Sequence, residues 1–120
     1  MTKLFKKWLN RQDIEKEVLL NAVREVQVGL VEVKLGSFLY KKRIPLFGRG
    51  KSSGARTLIA YKKDDKFFFL HGFAKNERSN ISKKELNALS EYVNLLMSFN
   101  ETQINKSINC GELTEIIYEK

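Results

Sequence analysis

The chain has 120 residues, 42% apolar and 30% charged, with a formal net charge of +8 at pH 7. That length fits one domain, 1–120, and the composition excludes wholesale disorder. A single cysteine, Cys110, excludes an internal disulfide and a multi-cysteine zinc site, and no apolar run approaches the roughly 18 residues of a membrane span.

Leu4 and Phe5 are followed at once by Lys6 and Lys7, so the N-terminal stretch lacks the apolar core of a secretory signal. A soluble cytoplasmic protein is expected. Lys3 to Leu9, with Leu4, Phe5, Trp8 and Leu9, reads as a short helix or an edge strand, with Trp8 as a core anchor. Asp13 is expected to cap the next helix, with Glu15 and Glu17 in its first turn. Ile14, Val18, Ala22 and Val26 recur every four residues, which is a helical apolar stripe, and Gly29 is the expected stop.

Phe38 to Ile44 is rich in strand-formers and ends at Pro45. Alternation puts Lys41 and Arg43 on one face of that strand, and Tyr40 and Lys42 on the other. Leu46 to Gly54 holds three glycines and two serines and predicts a loop. Gly50-Lys51-Ser52 is not a nucleotide-binding P-loop, because Pro45 stands where that motif needs glycine and a strand follows in place of a helix.

Arg56 to Lys62 is the next predicted strand, Lys63-Asp64-Asp65 a hairpin turn, and Lys66 to Phe73 the antiparallel partner. Three consecutive phenylalanines, Phe67 to Phe69, predict cover on both faces and a central place in the sheet. Ser82 and Glu85 have the spacing of a capping box. The helix it opens carries Leu86, Leu89, Val93, Leu96 and Met97 on one face. A short polar helix over Glu101 to Ser107 follows, stopped near Gly111, and Leu113 to Tyr118 is read as a last strand.

Between Glu32 and Asp64 there is no acidic residue, while Lys34, Lys41, Lys42, Arg43, Arg49, Lys51, Arg56, Lys62 and Lys63 all lie in that window. A block of one sign beside β-forming sequence sets up a local positive field, and its natural partner is a polyanion. No metal-ligand cluster and no recognisable Ser/His/Asp set accompanies it. Clustered Lys and Arg with one histidine, His71, supply no obvious protein nucleophile. They can bind a phosphodiester and stabilise added negative charge on it. RNA brings its own nucleophile, the 2′-hydroxyl, so metal-independent RNA cleavage is chemically open to this inventory; so is plain nucleic-acid binding.

The stretches Tyr40-Lys41-Lys42-Arg43-Ile44, Gly50 to Leu58, and above all Gly72-Phe73-Ala74-Lys75-Asn76-Glu77-Arg78 resemble the RelE-type toxins of bacterial toxin–antitoxin systems, in the RelE/HigB-like branch. The similarity runs from Phe5 to the end. It implies an α+β fold, with N-terminal helices packed on a small antiparallel sheet and a later helix. It implies a ribosome-associated mRNA endonuclease without a cofactor or metal, whose partners are a cognate antitoxin, mRNA and the ribosome, with no membrane.

Carried over residue by residue, the family's basic pair falls on Lys41 and Arg43, its strand-start arginine on Arg56, and its lysine after the last strand on Lys75. Arg56 is then expected to stabilise the phosphorane, and Lys75 or His71 to transfer protons. Lys42, Arg49, Lys51 and Arg78 are expected to bind RNA backbone. Two positions depart: the arginine beside that lysine is Asn76 here, and a nearby tyrosine is Ser82. Two alternatives remain open at this level, a same-fold toxin that binds DNA gyrase and an inactive nucleic-acid or protein-binding module.

Overall fold

The computed structural model describes residues 1–12, 14–45, 54–63, 66–74 and 82–116. The expected cap Asp13, the loop from Leu46 to Ser53, the turn residues Asp64 and Asp65, the run Lys75 to Arg78, and Tyr118 lie outside them.

The chain runs α1 (Lys3–Asn10), α2 (Lys16–Gln27), β1 (Val33–Lys34), β2 (Leu39–Ile44), β3 (Ala55–Lys62), β4 (Lys66–Ala74), α3 (Lys83–Ser98) and α4 (Glu101–Asn109). The strands form one antiparallel sheet in the order β1-β2-β3-β4. This is the α+β arrangement the sequence led us to expect.

The Lys3 to Leu9 segment is a helix, opened by the Thr2 hydroxyl, which accepts from the Phe5 amide. The second helix starts later than Asp13 suggested. Its N-cap is Glu15, in extended conformation and without a side-chain cap bond. Ile14 and Leu19 stand at the positions of a hydrophobic staple and belong to the same apolar cluster, so packing sets the helix start. Gly29 ends the turn with φ +86°, a conformation that favours glycine. At α3 the capping box forms as the spacing implied: Ser82 Oγ accepts from the Glu85 amide at 3.2 Å and Glu85 Oε1 from the Ser82 amide at 3.3 Å.

Each face of the sheet carries its own core. On one face α1 and α2 bring Phe5, Trp8, Leu19, Ala22 and Val26 onto Ile44, Ala55, Ile59 and Phe69. On the other, Val93, Leu96 and Met97 of α3 meet Leu39, Leu58, Ala60, Phe68, Leu70 and Phe73, with Ile104 and Ile108 of α4 packed beside them. Gly72 lets the first layer close. A Cβ there would sit 2.4 Å from Trp8 Cε3, so the indole of the 2% exposed Trp8 lies directly on the backbone.

Two expectations are corrected. β4 is an outer strand and β3 the more interior one: the phenylalanine run reflects helical cover on both faces, which an outer strand can have as well as a central one. The outer edge of β4 is met by Thr2, whose amide donates to the Phe69 carbonyl at 2.9 Å and whose hydroxyl donates to the Leu70 carbonyl at 2.6 Å. Of the expected last strand, the described part, Leu113 to Ile116, carries one bridge, Thr2 with Leu113, followed by a bond from the Thr114 amide to the Met1 carbonyl; Ile117 and Tyr118 lie outside the described residues. Conversely, β1 was not foreseen; its two residues are both exposed and show no alternation.

Candidate functional site

The register of β2 and β3 decides which basic side chains meet. Arg43 is opposite Arg56, Lys41 opposite Leu58, and Leu39 opposite Ala60. Cross-strand partners share a face. Lys41, Arg43 and Arg56 therefore continue the face whose apolar part is Leu39, Leu58 and Ala60.

Two arginines facing each other across a strand pair repel. The repulsion is offset by a carboxylate that the sequence reading did not single out. Glu32, at the bend before β1, places Oε1 3.1 Å from Arg43 Nε, Oε2 3.1 Å from Arg56 Nε, and Oε2 4.0 Å from Lys41 Nζ. The first contact is a hydrogen bond. The second is an ion pair without hydrogen-bond alignment, since Glu32 Oε2 has no hydrogen-bond partner. Its backbone is tied to β2 by a bond from the Glu32 amide to the Lys41 carbonyl at 2.9 Å. The only sequence signal for Glu32 is that it is the last acid before the acid-free window.

The cluster is graded in exposure. The Arg56 side chain is 9% exposed, Lys41 13%, Glu32 19% and Arg43 45%. Arg56 Nη1 is buried with no hydrogen-bond partner. Such a donor costs about 1–3 kcal/mol, so its survival calls for an explanation. A surface depression lined by Glu25, Leu30, Val31, Glu32, Lys42 and Arg43 adjoins the group.

His71 reaches the same face through an irregularity. Leu58 pairs with His71, but Ile59 pairs with Phe69, so Leu70 is an extra residue in β4. Strict alternation from Phe69 would send His71 to the face of α1 and α2. The bulge re-aims it to the side of Leu58, where its ring lies 5.9 Å from that of Phe73, the partner of Arg56.

Lys42 goes the other way. It is 6% exposed, and its Nζ sits 3.1 Å from Glu25 Oε1 of α2. The Thr57 hydroxyl donates to the Lys42 carbonyl at 2.9 Å and holds this stretch to β3. Lys42 thus pairs with α2, and it lines the same depression as Glu32 and Arg43. Arg49, Lys51, Lys75 and Arg78 lie outside the described residues. Ser82, where the resemblance led one to expect a tyrosine, serves as the cap of α3.

Among the described residues, no group of three His, Cys, Asp or Glu side chains is placed to hold a metal ion, and no helix is long and apolar enough to cross a membrane. What the arrangement offers is an anion site with a surplus of positive charge, three cations around one carboxylate, with an imidazole on the same sheet face.

No curated protein matches the chain. A family model does: the RelE toxin of the RelE/RelB toxin–antitoxin system, over residues 1–116.

Proposed function

This chain belongs to the RelE toxin family of toxin–antitoxin systems, and from that premise we propose that it is a metal-independent endoribonuclease that cuts mRNA at the ribosome, in the cytoplasm. The observation that supports this reading is the convergence of Lys41, Arg43 and Arg56 on one anion position.

The chemistry follows from that position. The RNA 2′-hydroxyl attacks the adjacent phosphorus, so the protein must hold the backbone in line, move two protons and stabilise a pentacovalent phosphorane. Arg56 does the last. Its guanidinium stays charged, and its fork matches phosphate oxygens. Lys41 and Arg43 hold the scissile and neighbouring phosphates. His71, on the same face, or Lys75 transfers protons. Arg49, Lys51 and Arg78 extend the contacts along the RNA backbone.

A cognate antitoxin is the partner that the family brings with it. In the proposed complex an acidic antitoxin segment covers the cationic face, since complementary potentials favour that encounter.

The test is induced expression of the wild type beside Arg56→Ala in a bacterial culture, with mRNA ends mapped in both. Growth arrest with new mRNA ends in the wild type alone supports the reading. Arrest with intact mRNA would move the target to DNA gyrase or another bound protein. If Arg56→Ala still cut, Arg56 would lose its assigned role.

A further inference from the structure

We propose that Glu32 is an internal occupant of the phosphodiester subsite: its carboxylate holds the place between Arg43, Arg56 and Lys41 that an RNA phosphate takes, and RNA must displace it to bind. The proposal rests on the endoribonuclease reading only for naming RNA as the source of the phosphate.

Geometry comes first. A phosphate oxygen that pairs with Arg56 Nε must enter the space where Glu32 Oε2 now stands, 3.1 Å away. The same holds for Arg43 Nε and Oε1, also at 3.1 Å.

Acceptor supply comes second. One carboxylate has two oxygens and here serves three cations. The fit is poor: Lys41 Nζ is at 4.0 Å, and both Glu32 Oε2 and the buried Arg56 Nη1 are without an aligned hydrogen-bond partner. Arg56 is 7% exposed, so bulk water is a poor substitute. A phosphodiester also carries one charge on two free oxygens, but sets them tetrahedrally about phosphorus on a longer frame, and so can reach donors that a planar carboxylate leaves over.

Mobility comes third. The three cations sit on β2 and β3, and β2 pairs with β3 along its whole length. Glu32 sits at a bend beside a two-residue strand, held by one backbone bond to Lys41, and Val33 after it is exposed. The carboxylate is the partner with less holding it. Before RNA arrives it offsets the repulsion between Arg43 and Arg56 and keeps them aimed at one point. Once RNA arrives it competes, so ground-state affinity is held down.

The experiment has two arms. In the wild type, inorganic phosphate is titrated while the Nε–Hε resonances of the arginines are followed by NMR. Both Arg43 and Arg56 should move with one dissociation constant; resonances that stay still at saturating phosphate would overturn the proposal without any variant being made. In the second arm, Glu32→Gln is compared with the wild type for inorganic phosphate and for an RNA oligonucleotide blocked by 2′-deoxy substitution at its cleavage site. Phosphate should bind about tenfold more tightly to Glu32→Gln, because a competing charge is gone. The dependence of RNA affinity on salt should steepen by about one counterion. Equal or weaker phosphate binding by a folded Glu32→Gln would overturn the proposal. Phosphate binding as expected, in a wild type that never cuts RNA, would sink the endoribonuclease reading and leave the subsite standing.

Discussion

Arg43 and Arg56 face each other across β2 and β3, and the Nε atom of each is 3.1 Å from one oxygen of Glu32. They differ in exposure, with side chains 45% and 9% accessible. Arg43 is therefore suited to meeting a phosphate on arrival, and Arg56 to acting where water is scarce and an electrostatic contact is worth more.

That difference predicts unequal responses to loss of the guanidinium fork. Arg56→Lys keeps the charge but loses the planar fork, and should lower cleavage by about 10²–10³-fold. Arg43→Lys should mainly weaken RNA binding, with a smaller loss in the chemical step. Single-turnover rates at saturating RNA, beside affinities for a blocked RNA, separate the two. Equal losses in both variants would mean that exposure does not sort their roles.

Lys41 and Lys42 are neighbours that the strand sends to opposite faces. Lys41→Met should lower RNA affinity and reduce the slope of log affinity against log salt by about one. Lys42→Met removes the pair with Glu25 on the α2 side and should leave that slope unchanged. It should lower stability by up to about 3 kcal/mol, because it removes one partner of the pair and leaves the Glu25 carboxylate, 28% exposed, to be solvated in part by water. Salt titrations of RNA binding by the two variants check the assignment of faces.

His71→Gln keeps a hydrogen-bonding side chain but no group that titrates near neutrality. If His71 is the proton carrier, cleavage should slow by about 10²–10⁴-fold while the thermal midpoint hardly moves. A variant that cuts at the wild-type rate would transfer the role to Lys75.

Gly72→Ala tests packing instead of chemistry. The new methyl would lie 2.4–2.7 Å from three atoms of the Trp8 ring. Overpacking of that kind should destabilise the protein by about 1–3 kcal/mol. Pairing it with Trp8→Leu should recover part of the loss, and urea denaturation of the two single variants and the double variant would measure that coupling. Additive effects would mean that the indole moves aside at no cost.

The parts legible in the sequence are those set by local periodicity and capping. Ser82 and Glu85 announce α3 because a capping box needs only a spacing. Lys41 and Arg43 are assigned to one face because a strand alternates. The parts that were not legible depend on partners far along the chain. Phe67 to Phe69 report that β4 is covered above and below, but not that a helix start, in place of another strand, meets its edge. The face of His71 hangs on one extra residue, Leu70, which no pattern marks. Glu32 was visible only as the border of a basic window; that it folds back onto the window is a matter of tertiary placement.

The bonds of Met1 and Thr2 have a consequence for how the protein comes into being. Thr2 is held by β4, at Phe69 and Leu70, and by Leu113, while Met1 and Thr114 exchange bonds in both directions. Met1 therefore finds its final neighbour only 113 residues further along the chain. Contacts of such long sequence separation form late, because the loop they close must be ordered first. A growing chain can assemble the β2–β3–β4 meander and its cation cluster early, yet stays unsealed along the outer edge of β4 until residue 114 is available.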